Sequence, residues 1–329
     1  MKKLGELILE KREVMIAGIT ILAIIGMSFA SPIFLTPDNW LSLLLSMSNN
    51  IIMAVGMMNL MVSGGFDMSI GSTMALAGGL CAICLNQGMN PVISIIAGLL
   101  AACAMGAFNG ISVAKLGISA FVTTLATQQM GRGLVMVLMN GKNISGLPDN
   151  FKWIGQMKIA GIQLPIIYAF VFMIVGGILL SKAKFFRQNY YIGGNEKAAR
   201  LSGINVSKMQ IINYTIMGLL AGVAGIIQTA RMATASTTTG DGGEMKVITA
   251  VIIGGASLSG GEGSILGAVI GVLLMAIINN AMVLLNINVY WQTFVTGLTL
   301  FLAVLIDIIA RNRKANMKEG IRKRGKKNG

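Results

Sequence analysis

Ten apolar stretches alternate with polar joints along this chain. They run Val14–Ala30, Leu41–Val62, Ile70–Leu85, Pro91–Val113, Ala120–Met139, Leu164–Leu180, Ile211–Ala230, Lys246–Leu258, Ser264–Leu285 and Tyr290–Ile309. A helix needs about 20 apolar residues to cross a hydrocarbon core, and fewer where it is broken. Of the 329 residues, 54% are hydrophobic and only 12% charged, against about a quarter charged in a soluble domain. Lipid is therefore the expected solvent. Backbone in lipid must satisfy its own hydrogen bonds, which here means helices. The expected fold is an all-α polytopic membrane protein of ten transmembrane helices. Residues 1–329 form one transmembrane domain, with 14–309 its membrane region.

The net charge of +14 raises the question of nucleic acid, and its distribution argues against it. Of 26 Lys and Arg, 4 lie in Met1–Glu13, 6 in Ser181–Lys208 and 9 in Arg311–Gly329. Each cluster flanks an apolar run, where the positive-inside rule places cytoplasmic segments. Ten spans return the C-terminus to the side of the N-terminus, so the termini and residues 181–208 are all expected inside, with 310–329 a basic cytoplasmic tail. Val14–Ala30 imitates a signal peptide, with Ser28-Phe29-Ala30 like a cleavage site. Glu6, Glu10 and Glu13 before it favour an uncleaved first helix.

Two spans are short, Ile70–Leu85 and Lys246–Leu258. Both adjoin glycine-rich polar sequence: Ser63–Ser72 before the first, Thr237–Lys246 and Gly254–Ser264 around the second. Paired, interrupted segments in corresponding places mark broken helices and internal repeats. A 170-residue offset lays Phe108-Asn109-Gly110 on Ile278-Asn279-Asn280 and so pairs span four with span nine. Five spans is an odd number, so the halves, spans two to five and seven to ten, are expected to be inverted.

Polar side chains inside the spans need partners or water. They are Asn49, Asn50, Asn59, Asn109, Thr123, Thr124, Thr127, Gln128, Gln129, Arg132, Asn213, Gln228, Thr249, Asn279 and Asn280. Interhelical hydrogen bonding accounts for most of them. The candidates for a hydrated path between the two halves are Asn49, Asn50, Asn109, Gln128, Thr249, Asn279 and Asn280. Neutral amides and hydroxyls suit a polyhydroxyl solute, whereas an ion pump wants more buried carboxylates. Asp67, Glu244 and Asp307 fall near span ends, and Asp67 is placed to cap a helix starting near Met68. Arg132, deeper in its span, is expected to snorkel or pair.

Several motifs dissolve on inspection. Cys81 and Cys84 form a CxxC inside an apolar run, with no second pair and no His in the chain, so they and Cys103 read as packing residues. No metal-ligand cluster, catalytic pair or disulfide framework follows. Leu258-Ser259-Gly260-Gly261-Glu262 imitates an ATPase signature, but no phosphate-binding loop accompanies it, and its glycines read as a tight turn.

The polar island 181–208 holds Asn195-Glu196-Lys197-Ala198-Ala199-Arg200-Leu201-Ser202-Gly203. Asn195 is a cap, the alanines form helix well, and Gly203 is a stop. A defined short helix in a cytoplasmic loop suggests a docking element. The site assigned to it comprises Asn195, Glu196, Lys197, Ala198, Arg200, Ser202, Gly203 and Asn205.

Gly193–Val206 resembles the coupling loop of permease subunits of bacterial ABC importers for simple sugars, the ribose/galactose/xylose type. Gly64–Ser72, Gly218–Arg231, Ile248–Gly271 and Tyr290–Gly297 are similar to other motifs of that family, in family order. Lys246 departs from the pattern, standing after Glu244-Met245 where members often carry an acid. The resemblance implies an inner-membrane permease working as two membrane subunits, expected to be a homodimer. Its partners would be an ABC ATPase subunit and an extracytoplasmic sugar-binding protein. This chain would bind no cofactor, ATP and Mg belonging to the ATPase, and the solute would be a ribose-like monosaccharide. The competing class is an ion-coupled secondary transporter, which shares inverted repeats but needs no basic docking loop. A membrane-embedded enzyme has no catalytic constellation to support it.

Overall fold

The computed structural model describes residues 12–325. Residues 1–11, which hold most of the first basic cluster with Glu6 and Glu10, and 326–329 lie outside the described residues.

All ten apolar segments are helical: α1 Arg12–Ala30, α2 Pro37–Val62, α3 Ile70–Asn86, α4 Pro91–Ala114, α5 Ala120–Leu138, α7 Leu164–Lys182, α10 Val206–Met232, α11 Gly243–Ile253, α12 Ile265–Leu284 and α13 Val289–Gly325. Among the described residues seven helices are long and apolar enough to cross a membrane. The exceptions are α3 and α11, which are short, and α5, which carries Thr123, Thr124, Thr127, Gln128, Gln129 and Arg132. The chain is a nearly all-helical polytopic membrane protein.

Local chemistry moves several boundaries from the expected places. α2 starts at Pro37 rather than Leu41, because Thr36 accepts from the Asn39 N–H and Pro37 is preset for a first turn. α11 stops at Ile253 rather than Leu258, where Gly254–Ser264 turns back through positive φ at Gly255, Gly260, Gly261 and Gly263. The polar connection 140–163 is built rather than loose. It holds β1 (Ile144–Ser145), the short helix α6 (Asp149–Gln156) and a hairpin of β2 (Lys158–Ile159) with β3 (Ile162–Gln163). β1 pairs antiparallel with β4 (Thr234–Ala235), directly after α10.

The packing repeats between the halves. α10 lies on α3 and α4, as α2 lies on α11 and α12. The contact of α3 with α4 recurs as α11 with α12, that of α3 with α5 as α11 with α13, and that of α4 with α5 as α12 with α13. Each half thus lends its first helix to the other half. α2 and α10 form the shared centre, and α2 is buried without a break from Ile51 to Val62.

Two ends can be told apart. At one, the connection 140–163 meets β4. At the other, the Gly261 N–H donates to the Val62 carbonyl (2.8 Å), Ser207 Oγ donates to the Ala114 carbonyl (3.2 Å), and Ser264 Oγ bonds Glu13 at the start of α1. Residues 181–208, the turn 254–264 and the start of α1 therefore share one end.

Candidate functional site

α3 and α11 both begin inside the bundle. Tyr214, whose O–H donates to the Phe66 carbonyl (3.1 Å) beside the start of α3, stands eight residues into α10. At 1.5 Å per residue that is about 12 Å from the helix end. Glu244, in the first turn of α11, bonds Gln128, eight residues into α5. The approaches to the two helix starts touch, for a Cβ added to Gly71 would overlap the Gly240 carbonyl. Two positive helix ends thus converge within the bundle, and each carries a buried carboxylate. Asp67 accepts from the Ser69 N–H (2.7 Å) and Oγ (2.6 Å) and from Asn109 Nδ2 (3.3 Å). Glu244 Oε1 accepts from Gln128 Nε2 (2.8 Å), while its Oε2 is buried without a hydrogen bond. Asp67 thus accepts from a backbone N–H at the helix start, as a cap does, while the helix proper starts at Ile70 rather than near Met68. Arg132 pairs with backbone, donating to the carbonyls of Thr237 (2.7 Å) and Thr239 (3.0 Å) ahead of α11.

A cavity of mixed polar and apolar lining, about 330 Å³, lies between α2 of the first half and α11, α12 and α13 of the second. Asn50, Asn279 and Asn280 line it, with Ser42, Ser46, Lys246 and Gln292. Asn279 Nδ2 bonds back to the Met275 carbonyl (2.9 Å), leaving its Oδ1 without a hydrogen bond. Asn280 exchanges amide bonds with Asn39 at the start of α2. The other path candidates lie apart from this cavity. Asn109 is fully buried and also donates to Ser69 Oγ (2.9 Å) and accepts from Thr127 Oγ1 (2.6 Å). Thr249 is fully buried and bonds its own helix at Met245 (2.6 Å). Asn49 donates to Gln228 Oε1 on α10 (2.7 Å), and Gln128 holds Glu244.

Residues 181–208 form two helices, α8 (Lys184–Gly194) and α9 (Glu196–Leu201). In α9 the sequence dictates both ends. Asn195 Oδ1 accepts from the Ala198 N–H (3.0 Å), and Glu196 pairs with Arg200 one turn on (2.7 Å). Gly203, at φ +84°, donates to the Arg200 carbonyl (3.1 Å) while the Ile204 N–H donates to that of Ala199 (3.1 Å). This double bond pattern is the left-handed glycine stop. Beneath it Ile192, Ala199, Val206 and Met209 form a small core with Ile204. Asn205 then caps α10 through the Lys208 N–H (3.0 Å), and Ser202 Oγ bonds the Ala198 carbonyl. Lys197 is exposed, and Leu201 is 91% exposed at the tip.

Residues 39–304 match the family described as branched-chain amino acid transport system / permease component. The chain belongs to this permease family. Its relatives include the ribose import permease protein of Escherichia coli K12, 39% identical over 91% of this chain and 94% of that protein. The ribose import permease protein of Bacillus subtilis 168 is 39% identical over 88% and 90%. The L-arabinose transport system permease protein of Escherichia coli K12 is 40% identical over 84% of each chain. No solved structure matches.

The permease is a transport subunit, not an enzyme. Sequence reasoning singled out Lys246 as a departure from the family pattern but passed over Ser42, Ser46 and Gln292, and the whole of α8. Helical spacing from Asn50 back to Ser46 and Ser42 was the available signal for the first two.

Proposed function

We propose that the permease is the membrane subunit of an ATP-driven importer that carries a ribose-like monosaccharide across a bacterial plasma membrane. The names and extent of the ribose and arabinose relatives support the solute class. The carrying observation is α9, a helix fixed at both ends that presents Leu201 at the end shared by 181–208 and the start of α1. The basic clusters put that end, and both termini, in the cytoplasm. An ABC ATPase subunit docks there and supplies ATP and Mg. An extracytoplasmic sugar-binding protein delivers the solute at the end formed by 140–163 and β4. Residues 1–329 act as one permease domain, with 181–208 the coupling loop and 310–329 the basic tail, and two copies complete the path.

The cavity supports a neutral polyhydroxyl solute, since six of its polar lining residues are amides or hydroxyls set among apolar ones. The buried carboxylates Asp67 and Glu244 are what an ion-coupled carrier would use. They stand instead at helix starts where fixed donors hold them. The test is crosslinking from cysteines at Ala198 and Gly203 to the ATPase, combined with uptake into energised vesicles. Crosslinks at both positions and uptake that needs ATP but survives an uncoupler are expected. Absence of both crosslinks in an assembled complex, or uptake abolished by the uncoupler alone, would sink the assignment.

A further inference from the structure

The inner face of α8 carries one fully buried amide, Asn189. A buried amide must find partners for its donors and its carbonyl or destabilise the fold. Asn189 finds them on two other helices. Its Nδ2 donates to Asn59 Oδ1 on α2 (2.8 Å) and to Asn213 Oδ1 on α10 (3.3 Å), and Asn213 Nδ2 donates back to Asn189 Oδ1 (2.9 Å). A bond from Asn59 Nδ2 to Asn213 Oδ1 (2.9 Å) closes a ring of three amides. Asn213 Nδ2 also reaches Ser63 Oγ (3.2 Å), at the residue that ends α2 and opens the break before α3.

One turn further along α8 the contact becomes backbone on backbone. A Cβ on Gly193 would overlap both the Val62 carbonyl and the Gly261 nitrogen. Tyr190 O–H donates to the Gly263 carbonyl (2.8 Å). α8 is thus held against the break of the first half and the α11–α12 turn of the second. Apolar contacts let helices slide, whereas an amide ring loses its bonds when displaced by about an ångström.

We propose that the Asn59–Asn189–Asn213 ring makes α8 a rigid strut, with Asn189 a positioning residue. The strut passes displacement of α9 to the cytoplasmic turns of both halves together. It rests on the reading of α9 as the ATPase contact, and it adds a second element, α8, through which that contact acts.

Asn189→Leu removes one member of the ring and leaves the bond from Asn59 to Asn213 in place. It is measured in proteoliposomes holding the complete complex with its ATPase and binding protein. Sugar moved per ATP should fall at least about tenfold while ATP hydrolysis stays within about twofold of the unaltered complex. An unchanged ratio overturns the strut. So does loss of co-purifying ATPase in step with uptake, which assigns the ring to folding alone.

A second variant, Asn59→Cys with Asn189→Cys in a background lacking Cys81, Cys84 and Cys103, removes two amides of the ring and leaves thiols that a short bifunctional thiol reagent can bridge. The unbridged form should transport poorly, and bridging should return sugar per ATP to within about twofold of the unaltered complex. An unbridged form that transports normally, or a form shown to be bridged that transports no better than the unbridged one, overturns the proposal. Crosslinks at Ala198 and Gly203 separate the two readings. If they form while Asn189→Leu is silent, only the strut fails. If neither forms, the coupling assignment itself fails.

Discussion

The α-carbon of Gly71, in the first turn of α3, lies against the carbonyl of Gly240 in the approach to α11, with no room between them for a methyl group. The contact joins the broken helices of opposite halves, so it fixes how closely their positive ends approach.

Gly71→Ala forces backbone against backbone, which side-chain rotation cannot relieve. Overpacking of this kind costs about 1–3 kcal/mol or more. The permease should show lower membrane abundance and a lower thermal midpoint in detergent. Gly133→Ala on α5 is the control, since its added Cβ meets nothing within 4 Å. Equal behaviour of the two variants would remove the contact from the account of the fold.

Arg132→Lys should also destabilise. One nitrogen, Nη1, donates to both carbonyls, Thr237 and Thr239, and the shorter lysine side chain does not bring its ammonium to the same point. Loss of one hydrogen bond to a charged donor is worth about 1.5–3 kcal/mol. Thermal unfolding of the purified variant gives the shift. A midpoint equal to that of the unaltered protein would mean that the carbonyls are satisfied without the arginine.

How much of this was legible in the sequence depended on whether the signal was local. The ten apolar runs, the Asn195 cap and the Gly203 stop are written in adjacent residues, and each has its counterpart in the structure. The span ends near Asp67 and Glu244 were also legible, but not that these ends lie inside the bundle. That depends on what packs around them. Asn189 was invisible for a similar reason. In KFFRQNYYIGG an asparagine reads as a solvated residue of a polar helix, and only Asn59 and Asn213, 130 and 24 positions away, make it an interior one. Asn109 and Asn279 show the limit most clearly. They coincide in the repeat alignment and are the same residue type, yet one is locked into Asp67, Ser69 and Thr127 while the other faces a cavity.

Leu201→Ser addresses the docking surface. A leucine that becomes buried on a partner contributes about 1.5–3 kcal/mol, so the variant should bind the ATPase roughly 10- to 100-fold more weakly. Since Leu201 is 91% exposed in the permease alone, abundance in the membrane should not change. Titrating ATPase onto the purified permease gives the affinity directly. An unaltered affinity would move the contact away from the tip of α9.

Orientation has its own measurement. In a variant lacking Cys81, Cys84 and Cys103, a cysteine at Asn150 should react with an impermeant thiol reagent from outside intact cells, and one at Lys197 should not. Both positions are exposed, so access alone decides the result. The reverse pattern would place α9 outside and leave the ATPase with nothing to grip.

The seven neutral path candidates now separate by partner. Asn50 and Asn279 line the cavity, and the one side-chain bond of Asn279 runs to Met275 on its own helix, not to another element. Leucine at either position should cut sugar uptake with little change in abundance, because it removes a partner for the solute rather than for the fold. Each lost pairing in a buried path is worth about 1–3 kcal/mol, or roughly 5- to 150-fold in rate. Asn109→Leu should do the opposite. It strips one partner each from Asp67, Ser69 and Thr127, all buried, and abundance and uptake should fall together. Thr249→Leu should behave like Asn109→Leu, through overpacking at a fully buried site. Asn280 is intermediate, since it lines the cavity and also holds Asn39. Uptake normalised to abundance distinguishes the classes. If Asn50→Leu and Asn279→Leu lose both in the same proportion as Asn109→Leu, the cavity is a gap in helix packing and the solute crosses elsewhere.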